Sequence, residues 1–181
     1  MVGVFASEAW WAKLAFGLEA GCAVAFLFVW GHDAAHGALF RGEWPAEILG
    51  TIAMLPSLNM YRLWCHGHNR VHHGFTSYTP IDWIWRPLTP EGYRALSWPR
   101  RLLYRLERTP WGCALHYLLR VWWPGMVMYR PDEKSRERLG VAVDKLIALA
   151  FALGLAAAAW HWGGGAVGVT AGVLLPFLVF N

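Results

Sequence analysis

Charge is scarce in this chain, and it stops early. Asp, Glu, Lys and Arg make up 15% of the 181 residues, and none of them follows Lys145. Fourteen of the sixteen Lys and Arg fall between Arg41 and Arg138. The net charge of +4 alone would suit a nucleic-acid binder, but a single basic stretch between nearly uncharged ends is the layout of a loop between membrane segments. Cysteine is scarce as well. Cys22, Cys65 and Cys113 are scattered, odd in number and form no CxxC pair. That excludes a disulfide framework and argues against structural zinc and iron–sulfur centres. No internal repeat or low-complexity tract is present. No cleavable leader is expected, because Glu8 sits early and the first apolar run leads into histidines rather than a cleavage site.

What is abundant is apolar. Hydrophobic residues reach 56%, the mean hydropathy is +0.30, and there are thirteen tryptophans, a residue favoured where an apolar body meets a wet edge. The composition predicts an all-α integral membrane protein, organised as one domain over 1–181, with about three transmembrane helices plus interfacial helices. Residues 14–31, "LAFGLEAGCAVAFLFVWG", form the first expected span, with Glu19 its one charge. Residues 146–161 and 166–180, joined by Gly163 to Gly165, read as a transmembrane hairpin over 146–180. Between them, 32–140 is expected to be cytoplasmic and interfacial. Within it, 46–61 is broken at Pro56 and too short to span. Residues 111–129 read as an amphipathic helix at headgroup level, and 130–138, "RPDEKSRER", as a solvated loop.

The second conspicuous feature is imidazole. Six of the eight histidines sit in two short clusters, "HDAAH" at 32–36 and "HGHNRVHH" at 66–73. His32 and His36 are four residues apart, as are His68 and His72, so on a helix each pair projects from one face. His73 is adjacent, and His66 lies two residues ahead. Neutral imidazole is a common ligand for zinc, iron and copper. The loop rule puts both clusters on the cytoplasmic side, where the first span ends. Six histidines exceed what one tetrahedral zinc needs, and no glutamate sits in an HExxH helix to serve a zinc hydrolase as base. An all-nitrogen set suits two iron ions with open positions for dioxygen. Asp33 and Asn69, with Arg70, are candidates to hydrogen-bond an imidazole N–H and so orient it. A non-catalytic membrane metal-binding protein remains the alternative from a different class.

These residues resemble the membrane fatty acid desaturase superfamily. "HDAAHGALF" is similar to its first histidine box, and "HNRVHHGFT" after a Trp-containing lead-in is similar to its second. "DWIWRPLTPEGY" and "YRLERTPWG" resemble the continuation. The resemblance spans roughly 14–181 and implies an oxidoreductase of lipid metabolism. Such an enzyme uses O2 and a histidine-ligated di-iron centre to remove hydrogens from an acyl chain; hydroxylation or ketolation is the related alternative. It implies His32, His36, His68, His72 and His73 as iron ligands, with His66 a less certain addition. It also implies a lipid substrate, a bacterial inner-membrane location with the boxes on the cytoplasmic face, a separate electron donor of ferredoxin or cytochrome b5 type, and no nucleic-acid partner. The family's third box, HxxHH, has no counterpart among the 181 residues. The chain is therefore expected to correspond to the front and middle of such an enzyme.

Overall fold

The structure, a computed structural model, describes residues 1–84, 86–130 and 137–181. No strand occurs among the described residues, as the all-α expectation requires. The chain packs as two compact units, Met1–Leu63 with Arg130–Phe180, and Trp64–Tyr129 with Asn181.

In the first unit, α1 (Val2–Ala6) leads into α2 (Trp10–Ala35), a 26-residue helix that is apolar along most of its length. At 1.5 Å per residue it runs about 39 Å, enough to cross the roughly 30 Å apolar core of a bilayer. The helix extends the expected 14–31 span at both ends, so that His32 and Asp33 lie in its last turn. Its buried stripe is made of small residues, among them Gly17, Ala20, Gly21, Val24, Gly31 and Ala34. A methyl group on Gly17 would stand 2.4 Å from the backbone oxygen of Ala171. Helices that lack water to drive them together associate through this kind of close backbone approach. Lys13 is buried, and its Nζ donates to the Val4 carbonyl at 2.9 Å, tying α1 to α2.

α3 (Glu43–Met54) packs against α2 and ends in a tight turn over Leu55–Ser57, at the Pro56 break. α4 (Tyr61–Cys65) follows, and its Arg62 pairs with Glu47 of α3. Arg62 also pairs with Asp144, a buried carboxylate on α8 (Glu137–Gly163). α8, at 27 residues, is the second helix long and apolar enough to cross a membrane. It ends in the expected glycine turn. Gly164 and Gly165 adopt φ of +90° and +66°, a region that L side chains rarely occupy. The chain then returns through α9 (Ala166–Val169), a wider-turned stretch at Thr170–Leu174, and α10 (Leu175–Phe180). This returning apolar helix runs over Ala166–Phe180, about 22 Å long at the standard rise, so it is shorter than the other two.

In the second unit the helix begun by α4 continues through His66–His72 with widened turns. α5 (Pro90–Ala95) and α6 (Trp98–Leu106) are short and joined by Leu96 and Ser97. α7 (Cys113–His116) runs on without interruption through Tyr117–Met128, which realises the helix expected at 111–129. The ring of Trp83 packs where methyl groups on Gly67 and Gly125 would stand, at 2.9 and 2.5 Å, so it pins the second histidine segment against this long helix. A buried carboxylate, Glu107, holds the end of α6 to the same helix. Arg120 Nε donates to its two oxygens at 3.2 and 3.4 Å, and His116 Nδ1 stands 3.6 Å away. The solvated loop expected at 130–138 lies mostly outside the described residues, and Glu137 and Arg138 belong to α8.

Candidate metal centre

The first cluster is built by the way α2 stops. His36 N–H still donates to the His32 carbonyl at 3.1 Å, so the four-residue helical spacing holds to the end. Gly37 then turns to φ +68°, its N–H donates to Ala34 O at 3.0 Å, and Ala38 N–H donates to Asp33 O at 3.0 Å. This pair of bonds closes a helix on a left-handed residue, a position that glycine fills without a steric penalty. The glycine after "HDAAH" therefore fixes the turn that carries His32 and His36. Their rings meet edge to face, with centroids 4.5 Å apart. His32 Nδ1 lies 3.1 Å from Asp33 Oδ1, a contact that favours the imidazole proton on Nδ1 and the lone pair on Nε2.

The second cluster differs from the simple helical expectation. Over His66–His72 the turns widen, and His73 N–H donates to the carbonyl of His68, five residues back, at 2.9 Å. The widened turn brings residues five apart onto one face. His73 is consequently nearer to His68 than His72 is, with ring centroids at 4.5 against 5.7 Å. The Nε2 atoms of His68 and His73 stand 3.0 Å apart. Two imidazole nitrogens, each about 2.1 Å from one first-row metal and at a right angle, are separated by about this distance. His68 is held from behind by the ring of Trp64, stacked at 4.2 Å. The donors present thus fit a nitrogen-ligated first-row metal.

His72 is oriented by a residue whose role the sequence did not disclose. Its Nδ1 donates to Asp82 Oδ2 at 3.0 Å, and Asp82 is fully buried. The same carboxylate accepts the backbone N–H of Ser77 at 3.1 Å on Oδ2 and of Ile84 at 3.0 Å on Oδ1. Burial alone would raise the Asp82 acid. The hydrogen bonds from His72, Ile84 and Ser77 outweigh it and hold the carboxyl below its ordinary range. An aspartate set among Trp and Ile in "IDWIWRP" was the available signal, since such a group is buried only when satisfied.

The remaining candidates are placed as follows. His66 turns to Tyr129, whose hydroxyl lies 3.2 Å from its Nε2. Asn69 lies half-buried on the wide-turned segment, and Arg70 is exposed. His116 belongs with Glu107; burial lowers its pKa, against the raising effect of that carboxylate.

The sequence matches the family profile "Fatty acid desaturase" over residues 8–181. Among curated proteins it is similar to the chloroplastic omega-6 fatty acid desaturase of Brassica napus, 32% identical over 125 residues, covering 67% of this chain and 27% of that protein. It is also similar to two proteins of Synechocystis sp. One is an sn-1 acyl-lipid omega-3 desaturase (ferredoxin), 28% identical over 139 residues, covering 71% of this chain and 37% of that one. The other is an sn-1 oleoyl-lipid 12-desaturase, 27% identical over 176 residues, covering 89% and 44%. The chain spans less than half the length of each of these relatives. No solved structure matches it significantly.

Proposed function

We infer the function from one premise: the chain belongs to the fatty acid desaturase family. On that premise we propose that it is a membrane acyl-lipid desaturase whose clustered histidines hold iron. His32, His36, His68, His72 and His73 are the proposed ligands of a di-iron centre. The observation that supports this reading is the 3.0 Å approach of His68 and His73 Nε2, close to the separation of two ligands at a right angle on one metal.

When bound, the iron would supply O2 activation and the removal of hydrogen from an unactivated C–H bond. The protein's own part is to orient the imidazoles toward the metal. Asp33 does this for His32, and Trp64 stacking steadies His68. Asn69 is proposed to hydrogen-bond a ligand imidazole. His66, engaged with Tyr129, is left outside the ligand set. Taking one hydrogen from each of two neighbouring carbons leaves a double bond. With dioxygen reduced to two waters, the balance needs two electrons and two protons from outside. A separate donor protein of ferredoxin or cytochrome b5 type is the proposed source; one relative's name carries "(ferredoxin)".

The substrate is proposed to be an acyl chain of a membrane lipid, which suits a proposed metal site on a protein with two helices long and apolar enough to cross a membrane. The histidine boxes are proposed to sit at the cytoplasmic face of a bacterial inner membrane, with 32–140 interfacial. Trp98, Leu102 and Leu106 leave an exposed apolar stripe on α6, suited to the headgroup boundary.

Metal analysis of the purified chain in lipid nanodiscs tests the reading. Iron as the retained metal is the expected result. Zinc in its place would favour a hydrolase, and retention of neither would favour a non-catalytic membrane protein.

A further inference from the structure

We propose that Asp82 is a positioning residue that fixes the tautomer and ring angle of His72, so that Nε2 is presented as the ligand nitrogen. The proposal rests on the reading of His72 as an iron ligand. Its geometric basis does not, because the contact is complete in the chain itself. A neutral imidazole carries one proton, and the partner of one nitrogen decides which nitrogen keeps it. Here the partner of Nδ1 is a carboxylate, which can only accept, so the proton stays on Nδ1 and the lone pair on Nε2.

Asp82 is built for this role rather than placed by chance. Its side chain is fully buried, and each oxygen accepts a backbone N–H, Ser77 on Oδ2 and Ile84 on Oδ1. Those two bonds leave the carboxylate no freedom to swing away from His72. They also close the loop between the histidine segment and Trp83. Ser77 adopts φ +63°, a costly conformation for a residue with a side chain, and its N–H is the one donating to Asp82. On the other side Thr76 Oγ1 donates to the His72 carbonyl at 2.7 Å, so the ligand's backbone is held as well as its ring. The other carboxylate beside a box histidine, Asp33, is half-exposed and has no comparable set of bonds among those described. The two boxes are thus oriented to different degrees, and the second is the more rigidly prepared.

The test uses the full chain in micelles, with nitrogen-15 histidine NMR in the absence of metal and anaerobic titration with Fe(II) alone. In the wild-type chain His72 is expected to carry its proton on Nδ1. Asp82→Ala is expected to remove that bias and weaken Fe(II) binding by about 10- to 100-fold, the usual effect of losing such a partner. Asp82→Asn keeps one acceptor oxygen, which can serve His72 and Ser77 or Ile84 but not both. It is expected to keep the tautomer with a smaller loss of affinity, and it decides the matter if the alanine variant does not fold. A residue that merely closed the loop would leave the His72 tautomer unmoved on substitution. Finding the proton on Nε2 in the wild-type chain, or an alanine variant unchanged in both readouts, overturns the proposal. A wild-type chain that binds no Fe(II) yet keeps the Nδ1 proton defeats the iron reading while supporting the orientation of His72.

Discussion

At the scale of single residues, the histidines divide by what stands behind each ring. His68 has Trp64, His72 has Asp82 and His32 has Asp33, whereas His66 is occupied by Tyr129. His68→Ala is therefore expected to weaken iron binding by tenfold or more, and His66→Ala to leave it within about twofold, when both are titrated with Fe(II). His116 supports a separate expectation about pH. Burial keeps its folded-state pKa below the ordinary 6.5, so the unfolded chain takes up the proton first. The stability it contributes is present above that value and is lost as pH falls below it. Thermal unfolding between pH 7 and pH 5 should show this loss, and His116→Gln should lessen it by a few degrees. The ligand candidates were legible because their spacing is local. Asp82 was not, since its bond to His72 depends on a ten-residue loop that closes only with Ser77 left-handed.

At the scale of elements, the ends of helices matter more than their middles. α2 was legible as an apolar run, and the glycine after "HDAAH" turns out to be the residue that closes it. Gly37→Ala meets no steric neighbour, so its cost is the left-handed backbone alone, about 1 kcal/mol. Thermal unfolding is expected to show that cost, with His36 the proposed ligand most loosened. The widened turns at His66–His72 were not legible, because periodicity assumes an ordinary helix. In that segment the five-residue pair, His68 with His73, replaces the four-residue pair as the closer one. α6 carries its apolar stripe outward while its arginines fold back on α5, Arg101 to the Arg94 and Leu96 carbonyls and Arg105 to the Tyr93 hydroxyl. Spin labels at Leu102 and Leu106 in nanodiscs are expected to relax more with oxygen than with a water-soluble nickel chelate. The opposite order would place α6 in water.

At the scale of the whole molecule, sparse charge, its basic part concentrated in the centre, and two long apolar helices describe a membrane protein. The match over residues 8–181 places it among fatty acid desaturases. The hairpin was legible from its glycines, although its returning limb is shorter than a full crossing. The Arg62–Asp144 pair that ties α4 to α8 was not, because its partners are 82 residues apart. What joins fold to function is the claim that the clustered imidazoles are iron ligands. X-ray absorption at the iron edge of the Fe(II)-loaded chain tests it most directly. The account predicts an all-light-atom shell with the multiple scattering of several imidazoles, weakened in the His68→Ala, His73→Ala double variant. A shell without imidazole scattering, or one unchanged in that variant, would contradict it.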